Sequence, residues 1–351
     1  MTPERKAAIL STLAGLAAAW IAFDLLVFAY GESPRRLFVL LFEGTWGTPY
    51  GVGQVLFKAT PLLFTGVAVD LALRAGLFNI GAEGQLAVAS LAAGALGAAL
   101  PAGTPAPIAI TIVLAAAAIA GGSWALVPAL LKARFGAHEV ISTIMMNRIA
   151  EAAIGLLLGM GLALKGTVRT RDLVPGAHVP RLDRLIVALH GSAVSVALGA
   201  AVLLALVVGW SYRNTRFGRE VTLIGKNPIA CAAERIPVSR RLAEAMIASG
   251  AIAGLACSAT VLGYKGYFEQ GLGAGVGFGG LAVALLGRGN GVGLVLAALL
   301  FGTLQQGGLA INAHVPMELM DVIQGVVIAA VALADARIRA SLARVVRGPF
   351  K

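Results

Sequence analysis

The sequence predicts an all-α integral membrane protein with about ten transmembrane helices, one of them short or broken. Of the 351 residues, 58% are hydrophobic and 13% are charged, whereas soluble domains carry roughly 25% charged residues. The mean hydropathy of +0.85 is also typical of an integral membrane protein. Apolar segments also recur along the whole length, so a signal peptide at the N-terminus does not account for them.

Windows of about 20 apolar residues, the length that crosses the hydrocarbon core, mark the helices in chain order. They are Ile9–Tyr30, Val52–Leu73, Leu77–Leu100, Pro107–Leu131, Glu139–Leu164, Ala188–Tyr212, Leu242–Gly263, Val276–Gly287, Val292–Gly307 and Met317–Ala334. The segment Val276–Gly287 is too short to cross unaided. Glycine and alanine dominate these segments, which favours close packing between helices.

The positions of lysine and arginine indicate the orientation, because cytoplasmic loops carry an excess of them. With the N- and C-termini both cytoplasmic, 18 of the 28 basic residues fall inside and 9 outside, and Arg148 lies within a predicted span. The net charge of +11 comes from basic residues in the loops between spans, as this rule requires. These loops lack interleaved aromatic residues, so nucleic acid is not an expected partner. The longest polar stretches, about 165–187 and 213–241, are too short to fold alone. Residues 1–351 therefore form a single transmembrane domain surrounded by membrane lipid.

The motifs for covalent chemistry and cofactor binding are missing from the sequence. It has no G-x-x-x-x-G-K-[ST] phosphate loop, so this chain is not expected to hydrolyse ATP by that route. Gly275–Gly280 matches G-x-G-x-x-G, but it opens an apolar helix with no preceding strand, as a flexible or tightly packed helix start would. The histidines have no paired spacing, and neither do Cys231 and Cys257. We expect no catalytic residue, metal site or cofactor.

A polar run, Leu77–Gln85, interrupts the apolar chain and is its most informative motif. Asn79, Glu83 and Gln85 each cost several kcal/mol to bury unpaired in hydrocarbon. Asn147, in a later span, has the same property. Further polar residues inside predicted spans are Glu139, Ser142, Glu151, Gln305, Gln306, Asp321 and Gln324. So many on several spans favour a polar central path, which we expect Asn79, Glu83, Gln85 and Asn147 to line or brace.

The basic loop at about 213–241 contains a second informative segment. Asn227 is a good N-cap and Pro228 suits the first helical position, so a short helix is predicted over Ile229–Arg235, ended by Pro237. Its small or apolar residues share one face, namely Ile229, Ala232, Ala233 and Ile236. Such a helix docks into a groove of a soluble partner or packs on the membrane face, and the pattern leaves both open.

Four motifs resemble the permease subunits of bacterial ABC importers, in the nucleoside and simple-sugar branch related to ribose and branched-chain amino acid permeases. They are Gly76–Gln85, Glu139–Asn147, Gly279–Gly287 and Ile323–Gly325. The resemblance runs in order from about Pro61 to Ala334 and so covers most of the chain.

The resemblance implies a permease of the bacterial cytoplasmic (inner) membrane that performs no covalent chemistry and moves a nucleoside or related sugar inward. It implies a second permease subunit (homo- or heterodimer), separate ATP-binding cassette ATPase subunits and an extracytoplasmic substrate-binding protein. The loop Arg216–Pro237 matches the coupling segment of the family, so the residues expected to meet the ATPase are Gly225, Asn227, Ala232 and Ala233. The family usually has a glycine-hydrophobic pair after the alanine pair, where this chain has Ile236-Pro237-Val238. This departure concerns the end of the coupling helix and not its existence.

Two other function classes compete with this interpretation. A self-contained secondary transporter would use Glu83, Glu151 or Asp321 as a proton or ion relay. A membrane-embedded enzyme would need a catalytic constellation, which the sequence does not contain. Uptake driven by an ion gradient through the lone chain separates the first class from an importer permease.

Overall fold

The computed structural model describes residues 17–18, 20–184, 186–287, 289–316 and 318–329. Within these ranges the chain is helical and forms no strand; two isolated bridges join Arg169 to Glu269 and Arg181 to Ser195. Six helices in the described part of the chain are long and apolar enough to cross a membrane, and two shorter apolar helices accompany them. The prediction of an all-α membrane protein is therefore confirmed.

The helices are numbered here in chain order. They are α1 (Trp20–Ala29), α2 (Pro34–Thr45), α3 (Pro49–Arg74), α4 (Ala82–Ala99), α5 (Ala106–Phe135), α6 (Glu139–Leu157), α7 (Ala197–Asn214), α8 (Arg216–Lys226), α9 (Pro228–Ala233), α10 (Val238–Gly254), α11 (Val276–Gly287), α12 (Gly291–Ile311) and α13 (318–329). A π-helical turn prolongs α6, so that the apolar helix runs over Glu139–Leu162. After α10 come a short helix, Cys257–Thr260, and a π-helical turn, and together they form the apolar segment Val238–Lys265, called the α10 segment below.

Several helix boundaries differ from the sequence prediction. The third predicted span does not begin at Leu77, because Leu77–Gly81 is non-helical and α4 starts at Ala82. Residues 188–196 contain no α-helix, so the sixth predicted span is α-helical only from Ala197. The helix α2 was not predicted, because its 12 residues are fewer than a spanning window. It begins at Pro34, in the N1 position that proline favours.

Three predictions fall partly or wholly on residues that the structure does not describe. The predicted first span, Ile9–Tyr30, is described only from residue 17 onward, with residue 19 left out. The predicted last span, Met317–Ala334, is described over 318–329. The predicted cytoplasmic placement of both chain termini also lies outside the described residues.

The chain divides into two compact units. One comprises Met1–Val52 with Thr303–Lys351, and within it the indole Nε1 of Trp46 donates to Thr303 Oγ1 at 3.2 Å. The other unit, Gly53–Gly302, contains every residue predicted for the path and for the ATPase contact.

Small residues give the larger unit its close helix packing. The apolar window of α3 is 83% buried and that of Val238–Lys265 is 72% buried, so these two helices form the centre of the unit. Gly121 of α5 and Gly250 of α10 approach each other so closely that a Cβ at either would overlap the other's backbone. This is the packing that a high glycine and alanine content favours in membranes.

The polar stretch at about 165–187 is hydrogen-bonded to the end of the α10 segment and to the residues that follow it. Thr170 N–H donates to the Phe268 carbonyl at 2.8 Å, and Val179 N–H donates to the Leu262 carbonyl at 3.1 Å. Arg181 adds side-chain hydrogen bonds to the carbonyls that follow Leu262. These bonds fix the start of the loop that leads from α10 to α11 and forms one wall of the cavity described next.

Candidate functional site

Two of the four predicted path residues form a buried cluster. Asn79 Nδ2 donates to Gln85 Oε1 at 2.8 Å, and Gln85 Nε2 donates to Asn79 Oδ1 at 3.0 Å. Asn79 Nδ2 also donates to Ser249 Oγ at 2.8 Å, and that hydroxyl donates to the Ala68 carbonyl at 2.6 Å. This amide cluster (Asn79, Gln85 and Ser249) ties α3, the start of α4 and α10 together, with Asn79 0% and Gln85 1% exposed.

The other two, Glu83 and Asn147, lie on the wall of a cavity of about 390 Å³. The cavity opens between the first turns of α4, the middle of α6 and the loop that leads into α11. Its lining residues are Glu83, Gly84, Leu86, Ala87, Ile144, Asn147, Arg148, Glu151, Ile154, Phe268, Gln270, Gly271, Leu272, Gly273, Ala274 and Phe278. Its size falls within the range of about 300–1,000 Å³ that is usual for small-molecule sites.

Glu83 fixes the glycine-rich loop that forms one side of the cavity. Its Oε1 accepts from Gly275 N–H and its Oε2 from Gly277 N–H, each at 2.7 Å. Gly271, Gly273 and Gly275 all have positive φ, a conformation that other residues rarely adopt. A Cβ at Gly277 would overlap the Glu83 backbone, so the alternating glycines provide a tightly packed helix start, one of the two alternatives predicted.

Asn147 joins α6 to the polar run by bonds to backbone atoms. Its Oδ1 accepts from Gly84 N–H at 2.9 Å, and its Nδ2 donates to the Ile80 carbonyl at 3.0 Å. A Cβ at Gly84 would lie 2.9 Å from Asn147 Oδ1, so the close approach requires glycine there. The side chain therefore fixes the position of α6 against α4 at the edge of the cavity.

An ion pair in the middle of an apolar helix opens onto the same cavity. Arg148 Nη1 lies 3.2 Å from Glu151 Oε2, and their side chains are 78% and 66% exposed. Both belong to the helix Glu139–Leu162, about 14–18 Å from its start at 1.5 Å per residue. Charges at that depth avoid lipid and face protein or water. Glu151 was among the polar residues predicted inside a span. Arg148 was not predicted as a site residue, although a lone arginine within an apolar span indicates one.

The predicted coupling helix is present, with the predicted cap. Asn227 Oδ1 accepts from Ala230 N–H at 3.0 Å, and Pro228 occupies the first position of α9. Ile229 is 83% exposed, and Ala232 and Ala233 are exposed as well. The helix thus presents a small apolar face that its own chain leaves uncovered.

The end of α9 differs from the prediction, because the helix stops at Ala233 and not at Arg235. Arg235 has φ +57°, and it is the one non-glycine residue with positive φ among those described. Its N–H donates to the Ala232 carbonyl, and Ile236 N–H donates to the Cys231 carbonyl, each at 3.0 Å. These two bonds form a Schellman end, in which glycine is the preferred residue at the left-handed position.

The helix α8 connects α9 to the rest of the unit. Gly225 approaches the Arg74 carbonyl so closely that a Cβ would overlap it, so one face of Gly225 is occupied by the end of α3. Glu220 pairs with Arg216 at 2.7 Å and with Arg241 of α10 at 2.5 Å. The hydrogen bond from Arg216, followed by that from Arg241, holds the pKa of Glu220 below its usual value.

Comparison with known proteins gives a consistent result. Residues 51–332 match the family described as "Branched-chain amino acid transport system / permease component". The guanosine ABC transporter permease protein NupP of Bacillus subtilis is 38% identical over 92% of each chain. The glucose ABC transporter permease protein TsgB13 of Haloferax volcanii is 33% identical over 91% of this chain and 85% of its own length. The nucleoside ABC transporter permease protein NupB of Lactococcus lactis is 28% identical over 87% and 85%.

No solved structure matches the chain. The family match covers well over half of the residues, and the similarity to NupP and TsgB13 extends over nearly the whole chain. The chain therefore belongs to the branched-chain amino acid transport system permease family and is a multi-pass permease subunit of an ABC importer in the bacterial cytoplasmic membrane.

Proposed function

We propose that this permease carries a nucleoside or a related simple sugar into the cell through a path to which the cavity between α4, α6 and the glycine-rich loop belongs. The names of NupP, NupB and TsgB13 support this solute class, since those relatives are permeases for guanosine, nucleosides and glucose. Such solutes are uncharged and polar. A few hydrogen bonds and an aromatic surface are enough to bind them weakly.

The observation that carries the proposal is the exposed ion pair in the middle of α6. Arg148 and Glu151 open onto the cavity with Glu83, Asn147 and Gln270. Lipid would make these charges costly, by about 2.5–3.5 kcal/mol for each at the centre of a helix. A water-containing path removes that cost. The aromatic side of such a path is Phe278, which is 51% exposed.

The transport mechanism is alternating access and not covalent catalysis. Two permease subunits, identical or different, enclose the path between them. Each chain crosses the membrane about ten times with both termini in the cytoplasm, as the distribution of basic residues favours. An extracytoplasmic binding protein delivers the solute, and ATPase subunits on the cytoplasmic side drive the two states by binding one of them better than the other.

The helix α9 is the contact with the ATPase. Its exposed face of Ile229, Ala232 and Ala233 has the size and apolar character of a helix that fits a protein groove. Asn227 orders the first turn, so little conformational entropy is lost when the helix docks. Gly225 contributes through the close contact of α8 with α3 that holds α9 in place.

Uptake by the reconstituted complex tests the proposal. The permease is placed in liposomes with its partner permease, ATPase subunits and binding protein, and uptake of labelled guanosine, ribose, glucose and leucine is measured. We expect uptake of a nucleoside or sugar that requires ATP, and none of leucine. The lone chain under a proton or sodium gradient is the control. Gradient-driven uptake by that chain, or ATP-driven uptake of leucine alone, would contradict the proposal.

A further inference from the structure

A cluster of three charged or polar side chains lies where α3 and α7 end. Asp70 and Arg74 are one turn apart on α3, and Tyr212 is near the end of α7. The Tyr212 hydroxyl donates to Asp70 Oδ2 at 2.8 Å, and the Arg74 guanidinium lies 4.6 Å from the centre of the Tyr212 ring. Asp70 is 3% exposed and Tyr212 is 5% exposed. A buried carboxylate with these partners is costly to disturb, because loss of one partner leaves a charge unpaired.

The same cluster contacts Gly289, which lies between α11 and α12. Arg74 Nη2 donates to the Gly289 carbonyl. Gly289 has φ +68°, and a Cβ there would overlap the Arg74 guanidinium. The close contact with Arg74 therefore fixes Gly289 relative to α3.

The coupling segment meets the cluster at its backbone. Gly225 of α8 packs against the Arg74 carbonyl, and Asn227, two residues later, caps α9. Tyr212 lies three residues before Thr215, the N-cap of α8, whose Oγ1 accepts from Gly218 N–H at 3.0 Å. Both ends of α8 are thus tied to residues next to or within the cluster.

We propose that Asp70, Arg74 and Tyr212 are positioning residues that convert movement of the coupling helix into movement of the cavity wall. The inference rests on the proposed role of α9 as the ATPase contact. The helix α11 has 12 residues and a length of about 18 Å; it ends at Gly287, two residues before Gly289, and its beginning is held by Glu83 at the cavity. A rigid helix held near both ends transmits a displacement from one end to the other.

A second contact between an arginine and a tyrosine in the same unit supplies the control. Arg169 pairs with Asp172 at 2.7 Å, and its guanidinium lies 4.3 Å from the centre of the Tyr267 ring. Tyr267 follows the α10 segment, and its hydroxyl makes no hydrogen bond with the described residues. Tyr267→Phe therefore removes a tyrosine hydroxyl without changing a contact of α8 or of Gly289.

The test measures solute moved per ATP hydrolysed by the reconstituted complex. Tyr212→Phe removes only the hydroxyl, and Arg74→Met removes the charge with little change in length. We expect the ratio to fall about threefold for Tyr212→Phe and about tenfold for Arg74→Met, with ATP hydrolysis maintained, and Arg74→Lys to restore part of it. Tyr267→Phe should leave the ratio within twofold of the wild type.

An unchanged ratio for Tyr212→Phe would overturn the inference, as would parallel loss of uptake and hydrolysis in proportion to folded complex. If Arg74→Met does not fold, Tyr212→Phe decides alone. Ala233→Arg, compared with Ala102→Arg in the exposed turn between α4 and α5, tests the underlying role of α9 separately. If Ala233→Arg still co-purifies with the ATPase at wild-type levels, the role of α9 is wrong. If Ala233→Arg does lose the ATPase while Tyr212→Phe leaves the ratio unchanged, only the proposed role of Asp70, Arg74 and Tyr212 is wrong.

Discussion

The nine residues Leu77–Gln85 supply both the amide cluster and part of the cavity wall, and the two regions satisfy their polar groups in different ways. In the amide cluster, side chains bind side chains: Asn79 pairs with Gln85 and Ser249, and neither amide lines the cavity. At the cavity wall, side chains bind backbone, since Glu83 and Asn147 accept from glycine N–H groups on one side and border open space on the other.

Helix geometry explains the difference. Glu83 and Gln85 are the second and fourth residues of α4, and two residues rotate a helix by about 200°. The two side chains therefore point in nearly opposite directions, one toward the cavity and the other into the bundle. Similar polarity along the sequence thus serves stability on one side of α4 and borders the candidate path on the other. Each side can be disturbed separately.

The largest effect on stability is expected from Asn79→Ala in the amide cluster. It leaves Gln85 and the Ser249 hydroxyl without their shared partner in a buried site. Unsatisfied buried groups cost about 1–3 kcal/mol each, so the loss is about 2–5 kcal/mol and the melting temperature falls by about 3–7 °C. Thermal unfolding of the purified chain in detergent measures it.

Asn312→Ala is the matched control, because Asn312 is exposed in the other unit. It should leave the melting temperature unchanged. If Asn79→Ala melted like the wild type while uptake was lost, Asn79 would belong with the path and the contrast between the two regions would be wrong.

How far the sequence predicts this site depends on where α4 starts. The polar run predicted Asn79, Glu83 and Gln85, and a later span predicted Asn147, as residues that line or brace a path, but the span with the polar run was predicted to begin at Leu77. With that start, Asn79 would lie in the helix as well. The actual start at Ala82 follows from the non-helical segment Leu77–Gly81, which is held by tertiary bonds to Ser249 and Asn147. Such bonds come from distant parts of the chain and leave no local signal.

The helix α9 was easier to predict because its signals are local. The Asn227 cap and Pro228 fixed its start correctly. Its end was placed two residues late, since Arg235 occupies a left-handed position that favours glycine and that tertiary packing must enforce. The Asp70–Tyr212 bond escaped prediction for the same reason as the amide cluster: 142 residues separate the partners.

A smaller effect on stability, but a larger one on transport, is expected from Glu83→Gln at the cavity wall. One oxygen becomes an NH₂ group that faces a glycine N–H, and the other bond loses its charge assistance. A loss of about 1–1.5 kcal/mol at the glycine-rich loop corresponds to an uptake rate about tenfold lower. The melting temperature should fall less than with Asn79→Ala. Unchanged uptake would mark Glu83 as purely structural.

Initial uptake rates in proteoliposomes, normalised to reconstituted permease, provide the measurement. Glu318→Gln, at an exposed position of α13, controls for the charge change itself. If Glu83→Gln lowered the melting temperature as much as Asn79→Ala, the two faces of α4 would not differ in role.

The smallest effect is expected from Gln270→Ala, on the part of the cavity wall that the loop before α11 forms. Gln270 is exposed and lines the cavity, and its backbone N–H donates to the Val168 carbonyl at 3.1 Å, a bond that the substitution retains. Its side chain is therefore free of the roles that Glu83 and Asn147 have in fixing the backbone. We expect an unchanged melting temperature and a KM for uptake raised about two- to tenfold, the value of one neutral hydrogen bond to solute. Gln324→Ala on α13 should leave KM unchanged. If Gln270→Ala also left KM unchanged, while Glu83→Gln slowed uptake, the cavity wall would act by its shape alone, and the solute would make its polar contacts elsewhere along the path.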